Sequence, residues 1–141
     1  MKIIGTGSAH PTCAVTNQML EQFLETTDEW ITERTGIKER CVISSEHLED
    51  MAVHAANKAL EDAGLTAADI DFLICSNVVN EYVTPALSCI IQGKLGAKCP
   101  TVDINAACAG FIYAMDMADD KLKAGKAKNI LIVCAEEPSR M

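Results

Sequence analysis

Asp103-Ile104-Asn105-Ala106-Ala107-Cys108-Ala109-Gly110-Phe111 is the stretch that decides how this chain folds. Pro100 breaks the chain just ahead of it, and Thr101-Val102-Asp103-Ile104 then reads as a short strand rich in β-branched residues. A turn of small residues follows and holds Cys108. From Gly110 to Ala124 the apolar residues fall at helical spacing, and Gly125 supplies the stop. A strand, a tight turn and a helix in immediate succession make one half of a βαβ unit. Asn129 to Ala135, with Ile130-Leu131-Ile132-Val133 at its centre, makes the returning strand.

The same alternation extends towards the N-terminus. Phe72-Leu73-Ile74-Cys75 is a buried-strand run within 71–79, and Pro85 opens a helix over Ala86 to Leu95, closed by Gly96. Leu48, Met51, Ala52, Ala55, Ala59 and Leu60 form one helical stripe that Gly64 ends. Glu39 to Ile43 is a candidate strand. Thr27-Asp28-Glu29-Trp30-Ile31 starts a short helix with acids in its first turn, as the helix dipole prefers, and Gly36 stops it. Thr16 to Leu24 carries a helical pattern with Thr16 as its cap. Lys2-Ile3-Ile4-Gly5-Thr6-Gly7 reads as an opening strand. Strands alternating with helices predict an α/β protein with a largely parallel sheet.

Composition narrows the functional classes. The chain has 141 residues, 12 Lys+Arg against 20 Asp+Glu, and a net charge of -8. Such a balance disfavours nucleic acid as a partner, which calls for a basic face. No run reaches the roughly 18 apolar residues of a membrane span. No charged-then-apolar leader opens the sequence, so a cytoplasmic location is expected. Aromatics are only 4 %, so the core must be aliphatic and sulfur-containing. Seven cysteines, an odd number with no C-x-x-C pair, argue against a disulfide framework or a zinc site. No metal and no cofactor is expected.

Cys108 differs from the other six cysteines in its setting. A cysteine at the mouth of a helix meets the positive end of the dipole, which suits a thiolate nucleophile. Alanine and glycine neighbours let a substrate approach, and nearby N–H groups can face an oxyanion. This is the setting of an acyl-accepting nucleophile. The plainer alternative is a buried cysteine among alanines.

The stretch from Asp103 to Phe111 resembles the nucleophile turn of β-ketoacyl-[acyl-carrier-protein] synthase III, a condensing enzyme of the thiolase superfamily. The resemblance runs through the chain. Ile3-Ile4-Gly5-Thr6-Gly7-Ser8 with Pro11 is similar to the family's opening strand and loop. Thr26-Thr27-Asp28-Glu29-Trp30-Ile31 with Arg34-Thr35-Gly36-Ile37 and Glu39-Arg40 is similar to its N-terminal motif. The resemblance implies half of a thiolase-like layered α/β/α fold, with a mostly parallel mixed sheet and helices on both faces. It implies that Cys108 takes a short acyl group from acyl-CoA, a substrate rather than a cofactor. Decarboxylative condensation with malonyl-acyl-carrier protein would follow, in a homodimer. Trp30 and Arg34, four apart on one helix, could hold a flat adenine between them, and the resemblance assigns both, with Thr26, to coenzyme A. Without the motif, an exposed Trp–Arg pair would be the simpler reading. Residues 78–87 are expected at the acyl pocket or the dimer contact.

In the family a catalytic His and Asn follow the nucleophile in a second half that has no counterpart here. Residues 1–141 are thus expected to be one N-terminal half-domain, with the C-terminal half absent. Alternatives are a catalytically incomplete fragment with a reactive thiol only, or another CoA-dependent enzyme such as hydroxymethylglutaryl-CoA synthase. The helix Phe111 to Ala118 is apolar around most of its circumference, so one side should be left uncovered and the chain prone to association. Three patterns are set aside. His54-Ala55-Ala56-Asn57 lies mid-helix, Gly5-Thr6-Gly7-Ser8 lacks the third glycine of a dinucleotide fingerprint, and the acids Glu46, Glu49, Asp50, Glu61 and Asp62 read as a solvated face. Lys121, Lys123, Lys126 and Lys128 are candidates for carrier-protein docking or an ordinary helix end.

Overall fold

The computed structural model describes residues 1–140. Its elements are β1 (Cys13–Thr16), α1 (Asn17–Leu20), α2 (Asp28–Thr35), β2 (Glu39–Val42), α3 (Leu48–Ala63), β3 (Phe72–Ser76), α4 (Leu87–Leu95), β4 (Thr101–Ile104), α5 (Gly110–Lys123) and β5 (Ile130–Cys134). Short 3₁₀ turns stand at Ala67–Asp69, Ala107–Ala109 and Pro138–Arg140.

Three strands form a parallel sheet in the order β4-β3-β5, with Cys75 opposite Asp103 on one side and Val133 on the other. Side chains alternate across β3. Leu73 and Cys75 face the helix pair α3 and α4, meeting Leu60, Leu87 and Ile91, all buried. Ile74 faces the opposite way, onto Ala114 and Ala118 of α5. The α/β fold with helices on both sheet faces is therefore present. Its antiparallel component is a separate ribbon, β1 with β2.

Helix ends follow the chemistry of their termini. Thr27 accepts the Trp30 N–H at 3.1 Å and caps α2. Gly36, Gly64 and Gly96 end α2, α3 and α4 in the left-handed conformation.

Three expectations change. Lys2 to Gly7 is not a strand. Gly5 and Gly7 lie so close to the α3 backbone that a Cβ on either would overlap the carbonyl oxygens of Ala59 and Ala55. The Thr6 N–H donates to Asp62 at 2.9 Å, and Lys58 donates to the Ser8 carbonyl. Helix packing therefore claims this arm. The helix expected over 16–24 shortens to Asn17–Leu20, because Asn17 turns inward and Phe23 and Leu24 are left exposed. The acids on and beside α3 are more than a solvated face. Glu46 accepts from the Thr12 N–H at 2.8 Å and from its hydroxyl, while Asp50 and Glu49 bridge to Lys94.

Candidate functional site

β4 delivers the chain to Asn105, and the turn Ala107–Ala109 carries Cys108 to the N-terminus of α5. Cys108 is exposed. Ala107 stands at φ 45°, the only non-glycine residue with positive φ among those described. Such a conformation costs an L-residue roughly 1–2 kcal/mol, and strain of this kind gathers at functional turns. The Ala109 N–H donates to the Ala106 carbonyl at 3.0 Å, and the Gly110 N–H turns back to Ala107. Those two amides are used inside the turn, which narrows the set of donors open to an oxyanion.

Gly110 lets the turn sit deep. A Cβ there would overlap Ser76 Oγ at the C-terminal end of β3, so α5 begins directly against the sheet. Past Cys108, Phe111, Ile112 and Tyr113 are exposed, Ile112 at 63 %. One side of α5 is thus an uncovered apolar face, as expected from its sequence.

The segment 77–86 is tied to β4 at both ends. The Asn77 N–H donates to the Ile104 carbonyl at 3.1 Å. At the other end the Asp103 carboxylate accepts from the N–H groups of Leu87 and Ser88, at 2.9 and 2.8 Å. Ala86 offers no side-chain cap to α4, so Asp103 caps that helix from the neighbouring strand. The segment presents Val78, Tyr82 and Val83 to solvent.

Trp30 and Arg34 lie on the exposed face of α2, with the guanidinium 5.0 Å from the indole ring centre. The two share a face, as their spacing implies, but the guanidinium packs directly on the indole and leaves no gap for a flat ring between them. Thr26 Oγ1, just before the helix, is buried without a partner. Behind α2, Asn17 is fully buried. Its Nδ2 donates to Asp28 at 2.7 Å and to the Ile37 carbonyl at 2.8 Å, and its Oδ1 accepts from Arg40 at 2.6 Å. This cluster fixes α2 against β2. Among the described residues no hydrogen bond or ion pair joins α2 to the Cys108 turn.

Sequence reasoning missed Asn17 and Asp103. Asn17 was hidden in a pattern that read as helical surface. Asp103 left a readable signal, since a carboxylate inside an apolar strand needs a partner.

Other features fall away from this site. Burial pushes the Cys75, Cys99 and Cys134 thiols up, which suits packing rather than chemistry. His54 and Asn57 are exposed mid-helix on α3. Lys121 lies over the Phe72 ring at 3.9 Å and Lys123 pairs with Asp119 at 2.6 Å, so these two are engaged locally. A cavity of about 940 Å³ lies between the arm 1–11, α3 and β5, and neither Cys108 nor Trp30 lines it. No helix among the described residues is long and apolar enough to cross a membrane.

Comparisons with known proteins agree with the fold. The family model for 3-oxoacyl-[acyl-carrier-protein] synthase III matches residues 102–141. A β-ketoacyl-[acyl-carrier-protein] synthase III of Clostridium perfringens is 49 % identical over 140 residues, covering 99 % of this chain and 43 % of that protein. The crystal structure of 3-oxoacyl-[acyl-carrier-protein] synthase III from Aquifex aeolicus superposes with a TM-score of 0.96 at 46 % identity, covering 99 % of this chain and 46 % of its own. The priming β-ketosynthase of the R1128 polyketide pathway superposes with a TM-score of 0.92 at 37 % identity, covering 96 % of this chain and 41 % of its own. The chain spans less than half the length of these relatives. In sequence and in fold it corresponds to the amino-terminal half of the β-ketoacyl-[acyl-carrier-protein] synthase III family.

Proposed function

We propose that this chain is the nucleophile-bearing half-domain of an acyl-CoA-primed condensing enzyme, an acyltransferase of fatty-acid initiation. The observation that carries the reading is the Cys108 turn: an exposed thiol at the N-terminus of α5, behind a strained alanine and against Gly110. In this reading Cys108 attacks the thioester carbonyl of a short acyl-CoA. The coenzyme A thiolate leaves with the electron pair, and the acyl group stays on sulfur. One thioester replaces another, so the step is nearly balanced and positioning supplies most of what is needed. Trp30 and Arg34 hold the adenine of coenzyme A, and Thr26 lies in the same patch.

Condensation with malonyl-acyl-carrier protein is assigned to the complete enzyme, as a cytoplasmic homodimer. That step needs a general base and a stabiliser of enolate charge, which the reading places in the C-terminal half. The polypeptide alone is thus an acyl acceptor without condensing activity.

Intact mass after incubation with acetyl-CoA tests the proposal. An acetyl increment that disappears in Cys108→Ala supports it. A folded chain that gains no acetyl group overturns it for this polypeptide.

A further inference from the structure

We propose that His47, Glu49 and Glu81 form a site for one divalent first-row cation of the zinc or cobalt kind, which clips the middle of segment 77–86 to the start of α3. The proposal stands apart from the acyl-transfer reading above. The three residues come from two separate stretches of chain. His47 is the N-cap of α3 and Glu49 lies in its first turn, while Glu81 stands on the connection between β3 and α4. Their ligand atoms, one imidazole nitrogen and one oxygen from each carboxylate, all lie within 4.8 Å of one another.

The spacing separates this group from an ordinary ion pair. His47 Nδ1 stands 3.8 Å from Glu81 Oε2, beyond hydrogen-bond reach. Ligands at about 2.0–2.2 Å from a tetrahedral ion stand about 3.4 Å from each other, so modest side-chain turns close the set on a cation. The His47 side chain makes no capping bond to α3. The Glu49 side chain is only 14 % exposed, and Lys94 approaches it no closer than 3.8 Å because Asp50 holds that ammonium at 2.5 Å. A largely desolvated carboxylate with a distant counter-charge gains most from a cation beside it. The α3 dipole accounts for an acid at Glu49. It does not account for Glu81, which the chain brings to the same point from beyond β3. One imidazole and two carboxylates are borderline and hard donors, and their two negative charges match a dication. The cysteine pattern argues against a thiolate zinc site, and this set uses no cysteine. Three protein ligands leave a coordination position for water on the exposed side. Segment 77–86 is fastened to β4 at its ends, while Val83 in its middle is fully exposed. A cation on Glu81 adds a third fastening, at the centre.

Cobalt(II) is the probe, because its spectrum tells nitrogen and oxygen ligands from thiolates. Equilibrium dialysis of the reduced chain should find one cobalt(II) per chain, without thiolate charge-transfer absorption. His47→Gln and Glu81→Gln should each weaken binding at least about tenfold. His54→Gln changes an exposed histidine of the same helix outside the group and should stay within about twofold of wild type. Amide exchange at 80–83 should slow at least about threefold on adding cobalt(II) to wild type, and not in Glu81→Gln. Glu81 lies outside every helix and strand, so that variant keeps the test sound where His47→Gln disturbs the start of α3. No uptake at millimolar cobalt(II), uptake only with thiolate charge transfer, uptake unchanged in Glu81→Gln, or an equal loss in His54→Gln overturns the site. Uptake that leaves exchange at 80–83 unchanged overturns the clip.

Discussion

Gly110 and Ser76 meet with no room for a side chain between them: a Cβ on Gly110 would overlap Ser76 Oγ and lie 3.1 Å from Ser76 Cβ. This contact fixes how deeply α5 begins against β3, and so where Cys108 stands. Gly110→Ala must push the helix away from the strand. Overpacking of this kind costs about 1–3 kcal/mol. Urea unfolding should show that loss, and adding Ser76→Gly should recover most of it. Equal losses in the single and double variants would mean the strain lies elsewhere.

Removal of the Asn17 side chain should be severe. Asn17→Ala leaves Asp28, Arg40 and the Ile37 carbonyl short of a partner at a fully buried position. A loss of about 2–4 kcal/mol is expected for a network that includes charged groups. Because the cluster anchors α2, coenzyme A binding should weaken in parallel, read by quenching of Trp30, the single tryptophan.

Arg34→Ala should weaken coenzyme A binding about tenfold, equivalent to ~1.4 kcal/mol, with little effect on the urea midpoint. The guanidinium is exposed and its ring contact with Trp30 is its one strong local interaction. Titration by tryptophan fluorescence checks both halves of the expectation.

Acid should loosen the N-terminal arm first. Hydrogen bonds from the Thr12 backbone and hydroxyl, and then from Ser44, hold the Glu46 carboxyl well below its ordinary value. A folded-state pKa below the unfolded one adds stability that is present above the ordinary carboxylate range and is lost as pH falls through it towards the folded value. Asp71, bonded by the Asn129 and Lys128 N–H groups, acts in the same direction. Glu46→Gln should therefore lower the melting temperature at neutral pH and flatten the acid limb of the stability profile. An unchanged profile would show that exposed carboxylates here contribute nothing.

The uncovered side of α5 should drive self-association. Phe111, Ile112, Tyr113 and Met117 form an exposed apolar run. Sedimentation over a range of concentrations should show association, and Ile112→Glu should reduce it. A monomer at every concentration would contradict this.

Much of the fold could be read because its punctuation is local. Thr27, Gly36, Gly64 and Gly96 each end or begin a helix for reasons confined to a few residues. The strands 72–76, 101–104 and 130–134 announce themselves by short, largely apolar runs. What could not be read depends on partners far along the chain. Lys2 to Gly7 has the composition of a strand, but two glycines fit it against α3 instead. Cys13–Thr16 is a strand only because 39–42 lies beside it. In the candidate site, the setting of Cys108 just before a helix was legible from local spacing, whereas Trp30 and Arg34 stood out only through the resemblance. The partners of Asn17 and Asp103 were not legible, because each side chain reaches backbone groups at least fifteen residues away.

The double fastening of segment 77–86 separates the length of a surface loop from the position of the strand beneath it. Its two feet stand on adjacent residues, 103 and 104, so the distance between them is independent of how much chain lies between. The entropy of closing such a loop grows only slowly with length, by about 0.6 kcal/mol for each doubling. Residues can therefore be exchanged, added or lost around Tyr82 and Val83 while the strand that carries the thiol keeps its place.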